Sequence, residues 1–248
     1  MPNKGNEKII LTFDLEYWYD TQFLRKWLPN SPKDYLEENL APLLALLEKY
    51  NTKATFFTTG KVIEKYPALI QKIHNQGHEI ASHGYSHCLL RELKELQFET
   101  EIQKSVELIE RVVGSKPKGF RAPNFSLNSQ TSWALPILKK LGFKYDSGNK
   151  IPRSPLIEIP VTFYGIKLGG VYFRFLPLWL FKFLLSSKKG LTVVYLHPHE
   201  LDKNTPVFEK APWLKKAIKY YGVKNSLSKL EGLLKSFKFD SAENILGI

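Results

Sequence analysis

The chain has 248 residues, 43% hydrophobic and 24% charged, a globular balance that excludes a disordered, collagen-like or coiled-coil chain. A single cysteine, Cys88, excludes an intramolecular disulfide framework. The net charge of +12 is uneven: residues 1–160 hold 22 Lys and Arg against 18 acids, and residues 161–248 hold 14 against 6, a net of +8. A basic C-terminal third suits an anionic partner, whether nucleic acid, anionic lipid or a phosphate-bearing substrate. It equally suits a solvated lysine-rich face.

The N-terminal MPNKGNEKIILTFDLE has an apolar run too short for a signal peptide, and carboxylates interrupt it at once. Lys8 to Phe13 reads as a buried strand ending in an acid, and Leu36, Leu40, Leu44 and Leu47 follow helical spacing. Ala54 to Phe57 is a short strand. Lys61 to Gln76 is a helix that Pro67 breaks or kinks and Gly77 stops. His78 to Ala81 is a strand, and Phe98, Ile102, Val106, Ile109 and Val113 mark a long amphipathic helix ended by Gly114.

Gly119 to Arg121 is a strand end, and Trp133 to Leu141 a helix. Phe143 to Asp146 and Leu156 to Ile159 are strands. Val171–Leu185, VYFRFLPLWLFKFLL, is apolar but holds Arg174, Pro177 and Lys182, too short and charged to span a bilayer easily. Leu191 to Leu196 is the clearest buried strand, and Leu227, Leu230, Leu233 and Leu234 mark a final helix. This alternation predicts an α/β fold with a mainly parallel sheet in a single domain. A soluble, cytoplasmic protein is expected, with room for peripheral contact at the inner membrane face. In such folds the polar residues at the C-terminal ends of strands carry the chemistry.

Four clusters sit at such ends. Asp14 and Glu16 lie two apart and share a face in an extended chain, where one can bind a metal and the other take a proton. An exposed acidic turn is the bland alternative. In SHGYSH, His83 and His87 are four apart, which places both imidazoles on one face of a helical turn and suits zinc with a carboxylate. His74 and His78 fall off that face and read as structural or solvent-facing. In GFRAPNF, Arg121 can orient a carboxylate and the Asn124 backbone N–H can donate to an oxyanion. His197, next to Pro198, is a general-acid candidate. His199 is a second supporting group or a rim residue, and Asp146 can hold a histidine or line the pocket. Together the clusters specify metal-assisted hydrolysis of an amide or ester without a covalent intermediate.

The motifs TFDLE, SHGYSH, RAPNF, YDS and LHPHE, in this order over residues 8–200, resemble the NodB-homology polysaccharide deacetylases, carbohydrate esterase family 4. The C-terminal part looks like a subgroup found in exopolysaccharide and surface-glycan assembly. The resemblance implies a distorted (β/α) TIM-like barrel with an irregular strand count. It implies N-deacetylation of an amino sugar with zinc or a similar divalent ion. By motif, Asp14 matches the base and His83 and His87 two metal ligands. Arg121 matches the residue that positions the base, Asn124 the oxyanion position and His197 the acid. The usual pair is two adjacent aspartates; here Leu15 intervenes and Glu16 stands in the metal-ligand position, so either division of roles between the acids fits the sequence.

Tyr17 and Trp18 are candidate sugar-stacking residues, with Asp146 and His199 at the substrate. The basic aromatic stretch Tyr172–Lys189 suits an anionic or lipid-linked glycan at a membrane face, or else a helix buried on the barrel. A core of about 8–200 and a basic helical extension of about 201–248 are expected. A deformylase of a lipid-linked sugar and a non-catalytic glycan-binding module are the alternatives. No recognition motif supports nucleic-acid binding.

Overall fold

The computed structural model describes residues 8–163, 165–188 and 190–248. Residues 1–7, the start of the N-terminal segment discussed above, and Lys189 lie outside the described residues. Along the chain come β1 (Lys8–Leu15), α1 (Leu36–Lys49), β2 (Thr55–Thr58), α2 (Gly60–Lys65), α3 (Pro67–Asn75), β3 (Glu79–Ser82) and α4 (Glu95–Val113). They are followed by β4 (Gly119–Phe120), α5 (Ala134–Lys140), β5 (Tyr145–Asp146), β6 (Ile157–Glu158), β7 (Thr162–Phe163) and β8 (Ile166–Lys167). The chain ends with α6 (Gly170–Phe175), α7 (Leu178–Ser187), β9 (Leu191–Leu196), α8 (Trp213–Tyr220), α9 (Val223–Leu234), β10 (Phe239–Asp240) and α10 (Ala242–Leu246).

The main sheet runs β10-β1-β2-β3-β4-β5-β6, with β9 also on β1. Every pairing in it is parallel. β10 meets Ile9 and Ile10, and β2 takes over from Thr12 to Leu15, so these two share one edge of β1. β9 pairs along Lys8 to Phe13 on the other edge. β7 and β8 form a separate antiparallel hairpin. The chain thus adopts the expected α/β fold with a distorted (β/α) barrel, and its sheet is a curled half-barrel. Among the described residues, no pairing joins β6 to β9.

Alternate residues of a strand point to opposite faces. Ile9, Leu11, Phe13 and Leu15 of β1 fall in one buried cluster with Leu40, Leu43 and Leu47 of α1 and Val194 and Leu196 of β9. Ile10, Phe57, Ala81, Tyr145, Val193 and Tyr195 fall in a second cluster, inside the curl. Thr12, Asp14 and Glu16 continue the inner row of Ile10, and His197 continues that of Val193 and Tyr195. A period of two therefore delivers these polar groups to one interior.

Close approach is secured by glycine. A Cβ on Gly119 would lie 2.1 Å from Cζ of Tyr145, so only glycine lets the Tyr145 ring cross β4. The Tyr145 hydroxyl donates to buried Glu79, which also accepts from the Thr55 hydroxyl and the Glu243 backbone N–H. This network ties β2, β3, β5 and α10 together at the end of the sheet away from the polar clusters. Pro67 starts α3 as its first residue, and Tyr66 before it leaves helical geometry at φ −126. That is the steric demand of a residue preceding proline, and it is why Lys61 to Gln76 forms two helices.

Residues 201–248, expected as a helical extension, instead re-enter the sheet: Phe239 and Asp240 pair with Ile9 and Ile10. The expected final helix, α9, is followed by β10 and α10, where the Ser241 hydroxyl caps the Asn244 N–H. The apolar segment Val171–Leu185 forms α6 and α7. Phe173, Phe181 and Leu185 are buried, while Trp179 and Phe183 are 70% and 63% exposed. Among the described residues, no helix is long and apolar enough to cross a membrane.

His78 is structural. It is buried at the start of β3, its Nδ1 accepts the Ala54 backbone N–H at 3.2 Å, and its ring packs edge-on against Phe56. Burial, helped by the Lys53 cation, lowers its pKa from 6.5 to about 4. The unfolded chain therefore binds the extra proton first, and stability is lost as pH falls from about 6.5 towards 4. Between pH 7 and pH 5 the wild type should lose about 4–7 °C more in Tm than His78→Asn, which keeps an acceptor without a titrating ring. Equal losses in thermal melts of the two proteins would show that His78 is already protonated in the fold.

Candidate metal centre and active site

The site lies at the C-terminal ends of β1, β3, β4 and β9, the end of a parallel sheet where backbone polarity and loops converge. Glu16 is buried just past β1. Its Oε2 lies 2.5 Å from Nε2 of His87 and 3.5 Å from Nε2 of His83. The candidate ligand atoms of the three residues all lie within 4.8 Å of one another. Burial opposes ionisation of Glu16, but the neighbouring His87 outweighs it and holds the carboxyl well below the usual range.

The two histidines do not share a helical turn. They sit on the loop after β3, bent by left-handed backbone at Gly84 (φ 77) and at His87 itself (φ 62). Histidine tolerates that region better than most residues. The loop is pinned from both sides. The Gly84 and Tyr85 carbonyls accept the Gly60 and Lys61 N–H groups at the start of α2, and the Ser86 hydroxyl donates to Glu101 of α4 at 2.6 Å.

The ring orientations fit a cation. Nδ1 of His83 lies 2.7 Å from the Arg121 carbonyl, which only accepts. Nδ1 therefore carries the proton, and the Nε2 lone pair faces Glu16. Nε2 of His87 is buried and has no hydrogen-bond partner among the described residues, despite its nearness to Glu16. An orphaned imidazole nitrogen, a lone pair fixed by tautomer and a carboxylate, all converging, form a donor set suited to one divalent ion.

Asp14 pairs instead with an arginine. Its Oδ1 lies 2.5 Å from Nη1 of the fully buried Arg121. Arg121 also donates to the Thr12 hydroxyl, the Ser147 carbonyl and the Ser147 hydroxyl, and it lies over the Phe57 ring at 4.1 Å. Neither Thr12 nor Ser147 is among the sequence candidates. Alternation and register place both of them, and no spacing of their own marks them out.

His197 ends β9. Its Nε2 lies 3.8 Å from both Oδ2 of Asp14 and Oε1 of Glu16, and its Nδ1 lies 2.9 Å from Oε2 of Glu200. Burial lowers its pKa, but the Glu200, Glu16 and Asp14 carboxylates outweigh it and raise the value to about 9. His199 is buried and stacks on His197 with ring centroids 5.2 Å apart, so it is not a rim residue. Its Nε2 lies 3.2 Å from Nζ of Lys219. Burial, Lys219 and His197 hold it well below its ordinary pKa, so it stays neutral.

The remaining candidates lie further out or deeper. Asn124 is exposed on the turn after β4, with φ 52. Asp146 is buried, both its carboxylate oxygens lack hydrogen bonds among the described residues, and burial pushes its pKa up to about 8. It does not hold a histidine. Tyr17 and Trp18 are buried too: the Tyr17 hydroxyl donates to the Lys61 carbonyl at 3.4 Å and the Trp18 indole N–H to the Lys33 carbonyl at 2.8 Å. A cleft of about 340 Å³ opens beside His87, lined by Arg25, Lys61, Glu92, Asp20 and half-buried Cys88. Through Leu28 it adjoins a second cleft of about 380 Å³ lined by Trp18, Trp27, Tyr35 and Lys33.

Residues 2–145 match the family model described as polysaccharide deacetylase, and residues 134–247 match one described as a domain of unknown function (DUF3473). A peptidoglycan-N-acetylglucosamine deacetylase from Bacillus cereus is 39% identical over 93 residues, 37% of this chain and 34% of that protein. The chain thus spans about a third of that relative's length. A polysaccharide deacetylase structure from Mycobacterium smegmatis superposes with a TM-score of 0.64 at 20% identity, covering 100% of this chain and 91% of that one. A family 4 pseudoenzyme from Bacillus anthracis superposes with a TM-score of 0.59 at 17% identity, covering 99% and 66%.

The geometry divides the two acids, and metal analysis checks the division. His83→Ala, His87→Ala and Glu16→Gln should each weaken zinc binding by more than about 100-fold, the upper range for losing even an outer partner. Asp14→Asn should keep the metal. Zinc lost in Asp14→Asn but kept in Glu16→Gln would reverse the assignment.

Proposed function

We propose, for a chain that belongs to the polysaccharide deacetylase family, that it removes N-linked acetyl groups from amino sugars of a surface glycan or its precursor. The observation that carries this reading is the convergence of a Glu16–His83–His87 donor set, an Arg121-bound Asp14 and His197 in one pocket. Glu16, His83 and His87 would hold one divalent ion, zinc by their chemistry. When bound, that ion would polarise the acetyl carbonyl and make a water more acidic.

The chain's own groups supply the rest. Asp14 takes a proton from the attacking water, and Arg121 holds Asp14 in its orientation. The backbone N–H of Asn124 donates to the carbonyl oxygen as charge develops there. His197 gives its Nε2 proton to the amine nitrogen as the C–N bond breaks. The new C–O bond leaves acetate and a free amine. Asp14, Glu16, His83, His87, Arg121 and His197 are all present, which supports catalysis over a binding-only role. The cleft beside His87 supports a substrate that extends beyond the acetyl group.

Trp179 and Phe183, exposed one turn apart on α7, favour one addition: contact with an anionic lipid surface that carries the glycan. Lys182 lies between them, in a C-terminal third of net charge +8. Replacing both aromatics with Ser should abolish sedimentation with vesicles containing phosphatidylserine. Unchanged sedimentation, or none by the wild type, would remove the lipid surface from the reading.

Acetate release from an N-acetylglucosamine oligomer should stop on chelation and return with zinc, and Asp14→Asn should lower kcat by about 10²–10⁴-fold. Release of formate from the N-formyl analogue without release of acetate would make the protein a deformylase. Zinc binding with hydrolysis of neither would favour a glycan-binding module.

A further inference from the structure

Neither metal binding nor water activation uses Glu200 or Arg174, yet both are buried directly behind His197. His197 leads into a short 3-10 turn, Pro198–Glu200, whose first residue is a proline. The turn folds Glu200 back: its backbone N–H donates to the His197 carbonyl at 2.9 Å, and its Oε2 reaches Nδ1 of the same histidine at 2.9 Å. The other carboxylate oxygen, Oε1, lies 3.3 Å from Nη2 of Arg174. Arg174 comes from α6. Its Nη1 donates to the carbonyls of Ile218, Lys219 and Tyr221 at 3.2, 2.7 and 2.9 Å, at the C-terminal end of α8.

Each group in this chain has one job left. A carboxylate only accepts, so Nδ1 of His197 carries its proton toward Glu200. That leaves Nε2, which faces Asp14 and Glu16, as the nitrogen that exchanges a proton with substrate. Asp146, the other buried carboxylate at a strand end near the site, hydrogen-bonds nothing among the described residues. The orienting carboxylate of His197 therefore comes from its own turn.

We propose that Glu200, held by Arg174, is the positioning residue of His197, and that α6 and the end of α8 form the mount of the general acid. This gives a role to part of residues 134–247, and it rests on the deacetylase reading for the step it serves. In that step the His197 imidazolium loses its Nε2 proton to the departing amine nitrogen and becomes neutral, with its Nδ1 proton still on Glu200. Glu200 stays ionised throughout. His197 regains a proton from solvent, and the proton taken up by Asp14 leaves to solvent.

The test uses the zinc-loaded protein and two acetyl donors. An N-acetylglucosamine oligomer needs its amine protonated; 4-nitrophenyl acetate releases a phenolate that needs no proton. Glu200→Gln should keep its zinc and its KM within about twofold while kcat on the oligomer falls by about 10²-fold. The same variant should lose less than about threefold on the aryl ester. Arg174→Gln should show the same pattern more weakly. Equal losses on both substrates, loss of zinc, or unchanged kcat on the oligomer would overturn the proposal.

A second readout needs no variant of Glu200 to fold and no turnover. With ¹⁵N-labelled histidine, the wild type should show a low-field Nδ1 proton that disappears in His197→Gln, and its absence would also overturn the proposal. If the wild type cleaves no amide, the deacetylase reading fails, while this resonance still decides whether Glu200 holds His197.

Discussion

The site is organised around a guanidinium sealed inside a half-barrel. Arg121 has no solvent exposure, and an unpaired charge there would cost several kcal/mol even after relaxation. Its partners are therefore constraints on the fold. Asp14, Thr12 and Ser147 must present oxygens to it, and the rings of Phe57, Phe125 and Tyr195 must close over it. These partners come from β1, β2, the turn after β4, the residue after β5, and β9. One buried cation thus fixes how five segments meet, and its backbone carbonyl also sets the tautomer of His83. Removing one partner of such a pair typically costs about 3–5 kcal/mol, so this pocket is preorganised by the same forces that hold the barrel.

The parts of this arrangement legible in the sequence are those with a short period. Alternation along Lys8 to Leu15 and Leu191 to Leu196 is enough to place Asp14, Glu16 and His197 on one interior. The four-residue spacing of His83 and His87 suggests a helical turn that the structure does not have. A loop with two left-handed residues brings the rings together, and no helix is involved. The phrase LHPHE contains both His197 and Glu200, but the value of Glu200 depends on a one-turn reversal that a strand-like pattern does not foresee. In the sequence Arg174 is only a charge interrupting an apolar run. Its contacts are to Glu200 and to residues more than forty positions later, which no local pattern encodes.

The same limit explains the C-terminus. β10 has two residues, too few to show a period, and its place is set by the long-range pairing of Phe239 with Ile9 and Asp240 with Ile10. Aromatic residues near the acids suggest sugar platforms. Trp18 instead packs edge-on against Phe208, with ring centroids 5.0 Å apart, and spends its indole N–H on Lys33. Burial of an aromatic side chain gains far more than exposure at a site edge, so a Tyr or Trp beside a catalytic acid is first a packing residue.

The two halves of the chain divide the polar cluster. Residues up to 145 contribute Asp14, Glu16, His83, His87 and Arg121; the later residues contribute His197, Glu200 and Arg174. β9 makes the halves one site by lying directly on β1, with Thr12 opposite Tyr195 and Phe13 opposite Leu196. Continued one more pair, that register sets Asp14 beside His197, and Oδ2 of Asp14 lies 3.8 Å from Nε2 of His197. A slip of one residue would turn His197 to the outer face and carry Leu196 inward. That slip would break the Thr12 hydroxyl's bond to the Val194 carbonyl at 3.1 Å and carry the Tyr195 ring away from Arg121. The register of β9 on β1 thereby sets the distance between Asp14 and His197.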